Sequence, residues 1–562
     1  MKKIIIFLAA IIICATAIFA APEANPTVRV GLYYNNNAMP SANLQNIEGA
    51  GYRFGFFDST HTFIPQYSTS STNRISMLKD KNLYYSDGKF YESGAPAGSA
   101  LIGAYHIELA ATYATAAEAD QYVTSLGIQG IPAFAAFKDN TYRIRIGSYA
   151  SIATAQTDVT KYNKFDSCVI VGNSDKCITV VNTATGKILF EYDNNTDLAV
   201  YPSLGEVDIP LTWFKGYKYH GGFQYIRNGG NISVINFVPM QEYTKGVVPY
   251  EMSAKWPLES LKAQAICART YALYNYGKHG KTFDVCGSTD CQVYNGANSA
   301  TENSNQAVDE TYGMYILYDG KPINAVFCSS NGGATEDSEN VWSATLPYLR
   351  GVYDNNEDLD TCINGRWSYE YTSDQLTYIL NAKGYNCSQI VNMYVKEFTN
   401  MGNVKTLTLV DSTGKEFNFS KEKSRTILYS STYKKYTHSQ RYTVRRKGTN
   451  ASSASVLFVN NGGSSVDFSF DNIFAIGSNG VRQLPSTGLS IITSSGTETV
   501  NTTEQQAPPS SDEEIAFVVS GTGWGHNVGM SQNGAKAMAL AGKSAEDIIH
   551  FYYTDVEIYK AE

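Results

Sequence analysis

Hydrophobic and polar positions alternate strictly over residues 27–34 (TVRVGLYY), the period of a strand with one buried face. Short strand-like runs separated by Gly and Asp-Gly turns continue to Gly98, one of them through Tyr84, Tyr85, Ser86, Asp87 and Gly88. The period then changes. Residues 105–111 read as a strand, 114–126 as a helix, 131–137 and 142–147 as strands, 151–162 as a helix and 168–171 as a strand. This is a compact βαββαβ unit. Strand signals return over 180–240, with a hairpin predicted where 223–227 and 232–238 flank Asn228, Gly229, Gly230 and Asn231, residues that tolerate a positive φ. A helical stretch follows, with Pro257 suited to a first helical turn. Leu258, Leu261, Ala265, Ala268 and Ala272 then step by three and four, a stripe of mostly small residues that allows close packing. Mixed strands run to about Arg446. Residues 485–514, rich in Ser, Thr and Pro and poor in large apolar side chains, read as a flexible loop, and order resumes at Ile515. The fold class is α+β.

The first residues bear on compartment. Lys2 and Lys3 precede an apolar run over 4–14, and Ala15-Thr16-Ala17 offers a small-x-small cleavage site, so 1–21 reads as a signal peptide. An uncleaved anchor or a lipid on Cys14 are the alternatives, and the anchor is the one route to a membrane. The net charge of −8 argues against nucleic acid, since there is no cationic excess to displace phosphate counterions. Recognition of an uncharged polymer would rest on hydrogen bonds and aromatic stacking. Outside the membrane, Cys168, Cys177, Cys267, Cys286, Cys291, Cys328, Cys362 and Cys387 read first as a disulfide set, with Cys168–Cys177 and Cys362–Cys387 as local loops. Cys267 and Cys328 lie in apolar surroundings where a free thiol acts as a small hydrophobe.

Four stretches carry candidate chemistry. In 242–276, Glu251 stands beside Tyr250, Met252 and Trp256; an apolar setting holds a carboxyl proton to higher pH, as a general acid requires. Lys262 and Arg269 lie on one helix face, either as ligand contacts or as an ordinary solvated face. In 284–296, Cys286 and Cys291 surround Ser288 and Thr289 and adjoin Gln292. A short disulfide is favoured there over zinc, for which His279 is the nearest further ligand. In 327–342, Ser329, Ser330 and the Gly332-Gly333 turn could bring hydroxyls and amides toward a sugar or be merely a loop. In 521–542 a glycine-rich segment runs into a helix starting near Met530 or Ser531. It lacks the Lys-Ser/Thr ending of a phosphate loop, and His526 is a base, a ligand contact or a structural donor.

Taken in order, these stretches resemble the SpoIID/LytB domain: EM…WP-x-E-x-LKAQA-x-x-ART-Y, ST-x-CQ-x-Y-x-G, S-x-GG-x-T…VW and G-x-GHN-VG-M-SQ-x-GA. The resemblance covers roughly 172–560 and extends to the strand-rich 27–98. The unit at 101–171, with Tyr-Arg-Ile-Arg-Ile-Gly-Ser-Tyr at 142–149, resembles a SPOR domain inserted between the two. The resemblance implies a mixed α+β catalytic domain and a lytic transglycosylase of peptidoglycan. Glu251 matches the catalytic glutamate. Lys262 and Arg269 match basic substrate contacts, and Ser288, Thr289, Gln292, Tyr294, Ser329, Ser330, Gly332, His526, Ser531 and Gln532 fall on the motifs as further substrate contacts. One carboxyl would first protonate the glycosidic oxygen between N-acetylmuramic acid and N-acetylglucosamine. It would then take the C6 hydroxyl proton, closing a 1,6-anhydro ring without the second acid that a hydrolase needs. The implied partners are glycan strands stripped of peptides and a cell-wall amidase, which a non-catalytic enhancer would stimulate. Sporulation is the setting that the family suggests. No cofactor is expected; Asp290 stands where some relatives have a His, against a metal.

Overall fold

The computed structural model describes residues 21–70, 72–203, 210–447 and 515–562, with short strands between 455 and 499. The predicted signal peptide lies outside the described residues except for Ala21. Most of the predicted loop at 485–514 also lies outside them, but Ser490–Thr493 and Gly496–Thr499 pair as an antiparallel hairpin, so that part is strand rather than loop. Among the described residues, no helix is long and apolar enough to cross a membrane.

Alternation in the first segment becomes β1 (Thr27–Tyr33), β2 (Ser41–Asn46), β3 (Tyr52–Phe57), β4 (Phe63–Thr69) and β5 (Arg74–Lys79). A small sheet follows from β6 (Leu83–Ser86), β7 (Lys89–Tyr91) and β8 (Ala100–Ile102). The βαββαβ order is then observed as β9 (Tyr105–Leu109), α1 (Ala116–Ile128), β10 (Ala133–Lys138), β11 (Thr141–Tyr149), α2 (Ile152–Tyr162) and β12 (Cys168–Gly172). Both helices start at capping boxes, on Thr115 with Glu118 and on Ser151 with Thr154, which satisfy otherwise free N–H groups. Next come β13 (Ile178–Asn182), β14 (Ile188–Asp193), β15 (Leu198–Pro202), β16 (Leu211–Phe214), β17 (Tyr217–His220), β18 (Gly222–Ile226) and β19 (Ser233–Pro239). The predicted hairpin is β18–β19, with Ile226 opposite Ser233 and Gly229 at φ +78° in the turn.

These strands form two sheets. One has ten strands in the order β12-β9-β11-β10-β14-β13-β5-β2-β16-β17; the other is β20-β1-β19-β18-β15-β3-β4, where β20 is Val285–Cys286. One apolar cluster runs between them, including Val30, Leu44, Phe54, Ile75, Phe190, Val200 and Val234. The βαββαβ unit is therefore an insertion in sequence but not a separate body in space. Its β10 pairs in parallel with β14, Ala135 opposite Phe190 through Lys138 opposite Asp193. Across this seam Arg145 is fully buried and pairs with Glu108 (2.8 Å) from its own unit and with Glu191 (2.8 Å) and Asp193 (2.9 Å) from the neighbouring strand. His106 lies 3.1 Å from Glu191, which also accepts from Thr179 at 2.8 Å.

The seven-stranded sheet hands the chain to two helices, α3 (Met240–Glu251) and α4 (Leu258–Tyr274). α4 is buried on nearly every side, as its small residues allow: Ala263, Ala265, Ala268 and Ala272 are wholly inaccessible. It packs on α3, on α5 (Glu302–Glu310) and on the C-terminal helices Gln532–Leu540 and Ala545–Tyr552. A third core lies under strands Arg366–Thr372, Tyr442–Arg446 and Ala516–Thr522, the last being the middle strand. After that middle strand comes the helix Gln532–Leu540 that packs on α4.

Candidate functional site around Glu251

α3 ends where Pro249 sits in its last turn and Met252 turns extended at φ −127°, ψ 149°. Glu251 is thus the last helical residue, held at the lip of the apolar cluster that contains Met252 and packs Trp256. Its Oε1 accepts the Val293 N–H at 2.7 Å, and the Gln532 carboxamide gives it a second hydrogen bond. Burial raises its pKa, and those two hydrogen bonds oppose the rise without cancelling it. Gln532 also donates from Nε2 to Gln264 Oε1 at 3.4 Å. Gln292 Oε1 accepts from the Tyr243 hydroxyl at 2.8 Å. The Nε2 donors of Gln264 and Gln292, both buried, have no hydrogen-bond partner among the described residues. Glu251 thus meets the Gln532 carboxamide, which in turn meets Gln264, while Gln292 directly precedes the Val293 that holds the carboxyl. Such a group holds its proton to higher pH than a free carboxyl and can offer N–H donors to a neutral ligand.

Gln292 and Gln532 were expected from the sequence. Gln264 was not, although a glutamine in a run of buried small residues was the available signal.

The cations fall elsewhere. Lys262 and Arg269 do share a helix face, but that face packs on α5. The Lys262 ammonium is held by Glu259 (2.8 Å) and Glu310 (2.5 Å). Arg269 is wholly inaccessible, its guanidinium donating to the Met314 carbonyl (3.2 Å), the Val308 carbonyl (3.4 Å) and Gln241 (3.2 Å). Burial lowers its pKa to about 10, so it stays charged. The expected substrate contact is corrected for Arg269, which pins α4 to α3, α5 and the strand Met314–Tyr318; Lys262, still partly exposed, joins α4 to α5.

Most of the loop residues expected at a sugar form a clamp instead. Glu357 accepts from Ser330 Oγ (2.6 Å), the Asn331 N–H (2.9 Å), the Gly332 N–H (3.3 Å) and Ser531 Oγ. Asp354 accepts from Asn331 Nδ2 (2.7 Å) and the Tyr552 hydroxyl (2.5 Å). Ser330, Gly332 and Ser531 are thereby corrected from ligand contacts to structural groups that tie the 327–335 loop to the start of helix Gln532–Leu540, and so set Gln532. Ser531 also caps that helix through the Gly534 N–H (3.2 Å). Ser329 holds the same helix through its carbonyl, which accepts from Asn533. Sequence reasoning missed Glu357 and Asp354, which belong to no motif. His526 Nδ1 accepts the Val528 N–H at 3.1 Å and the ring also bonds the Phe327 backbone. Burial, aided by the charge of Arg425, lowers its pKa to about 4, so the ring is neutral; it is partly exposed and packs beside Trp342. Tyr294 is buried, its hydroxyl donating to Asn236 at 2.8 Å, with its ring at the wall of a cavity.

No disulfide joins any of the eight described cysteines, which corrects the expected bridges. Cys177 is buried near Arg145, whereas Cys168 lies half-exposed on β12. Cys286 and Cys291 come together with His279 and Asp290, all four donor atoms within 4.8 Å of one another. His279 Nε2 is 3.3 Å from Cys291 Sγ and 3.7 Å from Asp290 Oδ2; both sulfurs are 3.9 Å from Asp290 Oδ2. A tetrahedron with zinc's usual N, O and S bond lengths has edges of about 3.3–3.8 Å. The donor set therefore fits zinc. A hydrogen bond from Cys291 holds Cys286 toward the thiolate. Thr289 is exposed at the rim, and Ser288 lies 3.2 Å from Cys286 Sγ and faces a cavity.

Residues 228–318, which contain Glu251, Gln264 and Gln292, match the family described as Stage II sporulation protein, SpoIID, and residues 102–172 match the SPOR domain. The chain carries a SpoIID domain and a SPOR domain. The SpoIID match spans α3, α4 and the cysteine cluster, and the SPOR match is the βαββαβ unit fused to the ten-stranded sheet. The chain is 31% identical to the amidase enhancer of Bacillus subtilis over 55% of its own length and 39% of that protein. It is 35% identical to stage II sporulation protein D of the same organism over 22% of its length and 40% of that protein. An uncharacterized protein of Brachyspira hyodysenteriae is 36% identical over 34% of this chain and 51% of its own. The chain thus spans about half or less of the length of these curated relatives. SpoIID and SPOR domains are cell-wall associated, which implies an exported or envelope location.

Proposed function

We propose that this protein is a lytic transglycosylase that cuts peptidoglycan glycan strands, with Glu251 as acid and then base. The observation that carries the reading is the state of Glu251: a carboxyl raised by burial, oriented by the Val293 N–H and the Gln532 amide. Protonated, it can donate to the glycosidic oxygen between N-acetylmuramic acid and N-acetylglucosamine. Ionised by that transfer, it can accept the C6 hydroxyl proton as the C6 oxygen attacks C1, so the leaving oxygen gains the proton and a 1,6-anhydro ring closes. The unpartnered donors of Gln264 and Gln292 suit acetamido carbonyls or sugar oxygens. The SPOR domain would hold peptide-free strands. The Cys286, Cys291, His279 and Asp290 set would hold zinc as a brace for the loop that carries Val293; zinc supplies no step of the chemistry here.

Mass analysis of products from peptide-free strands tests the reading. Ends of 1,6-anhydro-N-acetylmuramic acid support it, and reducing ends carrying oxygen from isotopic water make the chain a hydrolase. Similarity to an amidase enhancer supports a second reading, in which Glu251 is structural and a cell-wall amidase is the partner. Intact strands after prolonged incubation, with a faster amidase in the same mixture, decide for it.

A further inference from the structure

Two cavities lie in series beyond the loop that holds Glu251, the first next to that loop and the second next to the first. The first has a volume of ≈ 390 Å³ and begins at Asn295, two residues beyond the Val293 N–H that holds Glu251. Tyr33, Tyr217 and Tyr219 line it, and none of their hydroxyls makes a hydrogen bond within the described chain. Its lip is the turn Asn35–Asn37, three exposed carboxamides with Asn35 at φ +51°. Rings for stacking, free hydroxyls and carboxamides, with no Lys, Arg, Asp or Glu on the wall, fit an uncharged amino sugar.

The second cavity, ≈ 320 Å³, lies around Trp213, Gln45, Asn43, Arg74 and Lys215. Trp213 occupies the outward position of β16 between buried Thr212 and Phe214, directly opposite Gln45 of β2, and stays 39% exposed. A tryptophan on this face adds nothing to the core. Arg74 and Lys215 have no carboxylate partner among the described residues, which suits a ligand with an anionic substituent. Lys215 joins the two cavities, its Nζ lying 5.8 Å from the ring centroid of Tyr33.

We propose that these cavities are successive saccharide subsites of the Glu251 cleft, the first for a neutral N-acetylhexosamine and the second for one bearing a carboxylate. The alternation of neutral and carboxylate-bearing sugars in a peptide-free glycan strand matches that order. This deepens the glycan-cutting reading and rests on it for the identity of the sugars.

The test uses the full chain with Glu251→Gln to stop cutting, titrated by calorimetry with chitotetraose, which is neutral, and with peptide-free glycan strands. Tyr217→Ala should weaken both ligands about tenfold or more, and Tyr217→Phe by less, since it removes only the hydroxyl. Arg74→Ala with Lys215→Ala should weaken the strands about tenfold and leave chitotetraose unchanged. All three side chains are partly or fully exposed, so the variants should melt with the parent. A folded Tyr217→Ala that binds both ligands like the parent overturns the first subsite. A double cationic variant that binds strands like the parent, or loses both ligands equally, overturns the second. If the unmutated chain makes no anhydro ends yet shows these sensitivities, the cutting reading falls and the subsites stand. If it cuts and the variants bind normally, the reverse holds.

Discussion

Glu251→Gln keeps the side-chain shape and its hydrogen bond from Val293 but cannot deliver a proton. Turnover should fall at least ~10²-fold, the usual worth of a positioned acid, with glycan affinity retained; product mass and calorimetry check this. The sign of its pKa shift adds a second readout. A carboxyl raised by burial costs the folded state stability above its folded pKa, and the cost vanishes as pH falls below its unfolded value. At neutral pH Glu251→Gln should therefore melt at the same temperature or higher, and a marked loss in thermal melting would refute an acid held under desolvation. Arg269→Ala should do the opposite. It removes a buried guanidinium that serves two backbone carbonyls and one carboxamide, and hydrogen bonds to charged groups are worth about 1.5–3 kcal/mol each. A loss of several kcal/mol in denaturant melts is expected, with glycan affinity of the surviving folded fraction unchanged. The sequence could not distinguish this arginine from a ligand contact. The seven-residue spacing of Lys262 and Arg269 correctly put both on one face, but the same spacing serves a face packed on α5 and a face open to a glycan.

At the level of elements, the clamp between the 327–335 loop and helix Gln532–Leu540 decides where Gln532 stands. Gly534 permits it: a Cβ there would lie 1.9 Å from the Tyr552 hydroxyl and 2.5 Å from Asp354 Oδ2. Gly534→Ala should thus cost about 1–3 kcal/mol through overpacking and also lower turnover, because the helix that carries Gln532 must shift. A melt equal to the parent would show that the helix start relaxes freely. The elements themselves were largely readable. Period-2 and period-3.6 patterns placed β1, the βαββαβ unit, the β18–β19 hairpin and α4. Glu357 and Asp354 were not readable, because each acts through contacts with residues distant in sequence and sits in a loop without periodicity. The cysteines misled for a related reason: closeness in sequence suggested a Cys286–Cys291 bridge, and although the sequence also offered His279 and Asp290, only the folded turns show both gathered on the two sulfurs.

For the whole molecule, the seam between β10 and β14 makes the SPOR domain depend on the SpoIID scaffold. Residues 100–172 expressed alone would leave Arg145 without Glu191 and Asp193, and breaking a buried ion network by removing partners costs about 3–5 kcal/mol. The isolated unit should be markedly less stable than the same unit in the full chain, as hydrogen exchange at β10 and β11 would report. The seam also titrates. Burial, reinforced by Glu191, raises Asp80 to about 7 from 3.8, so the folded state keeps a proton that the unfolded state has lost, and stability falls as pH rises across that interval. His106, raised by its pairing with Glu191 against the opposing effect of burial, adds a further fall above its ordinary 6.5. The melting temperature should therefore drop as pH rises through this range, and Asp80→Asn should flatten the part below about 7. A pH-independent melt would mean that Asp80 is already ionised in the folded protein.

The same seam has a mechanical consequence. Strands β10 and β14 run side by side in parallel, so a pull on the SPOR domain along their axis loads all of their hydrogen bonds together in shear rather than peeling them one at a time. Among the described residues, the two domains meet through this strand pairing and not across a slack tether. If the SPOR domain grips a strand that Glu251 cuts, the offset between grip and cut is set by a stiff frame, and the enzyme works as a ruler laid along the glycan.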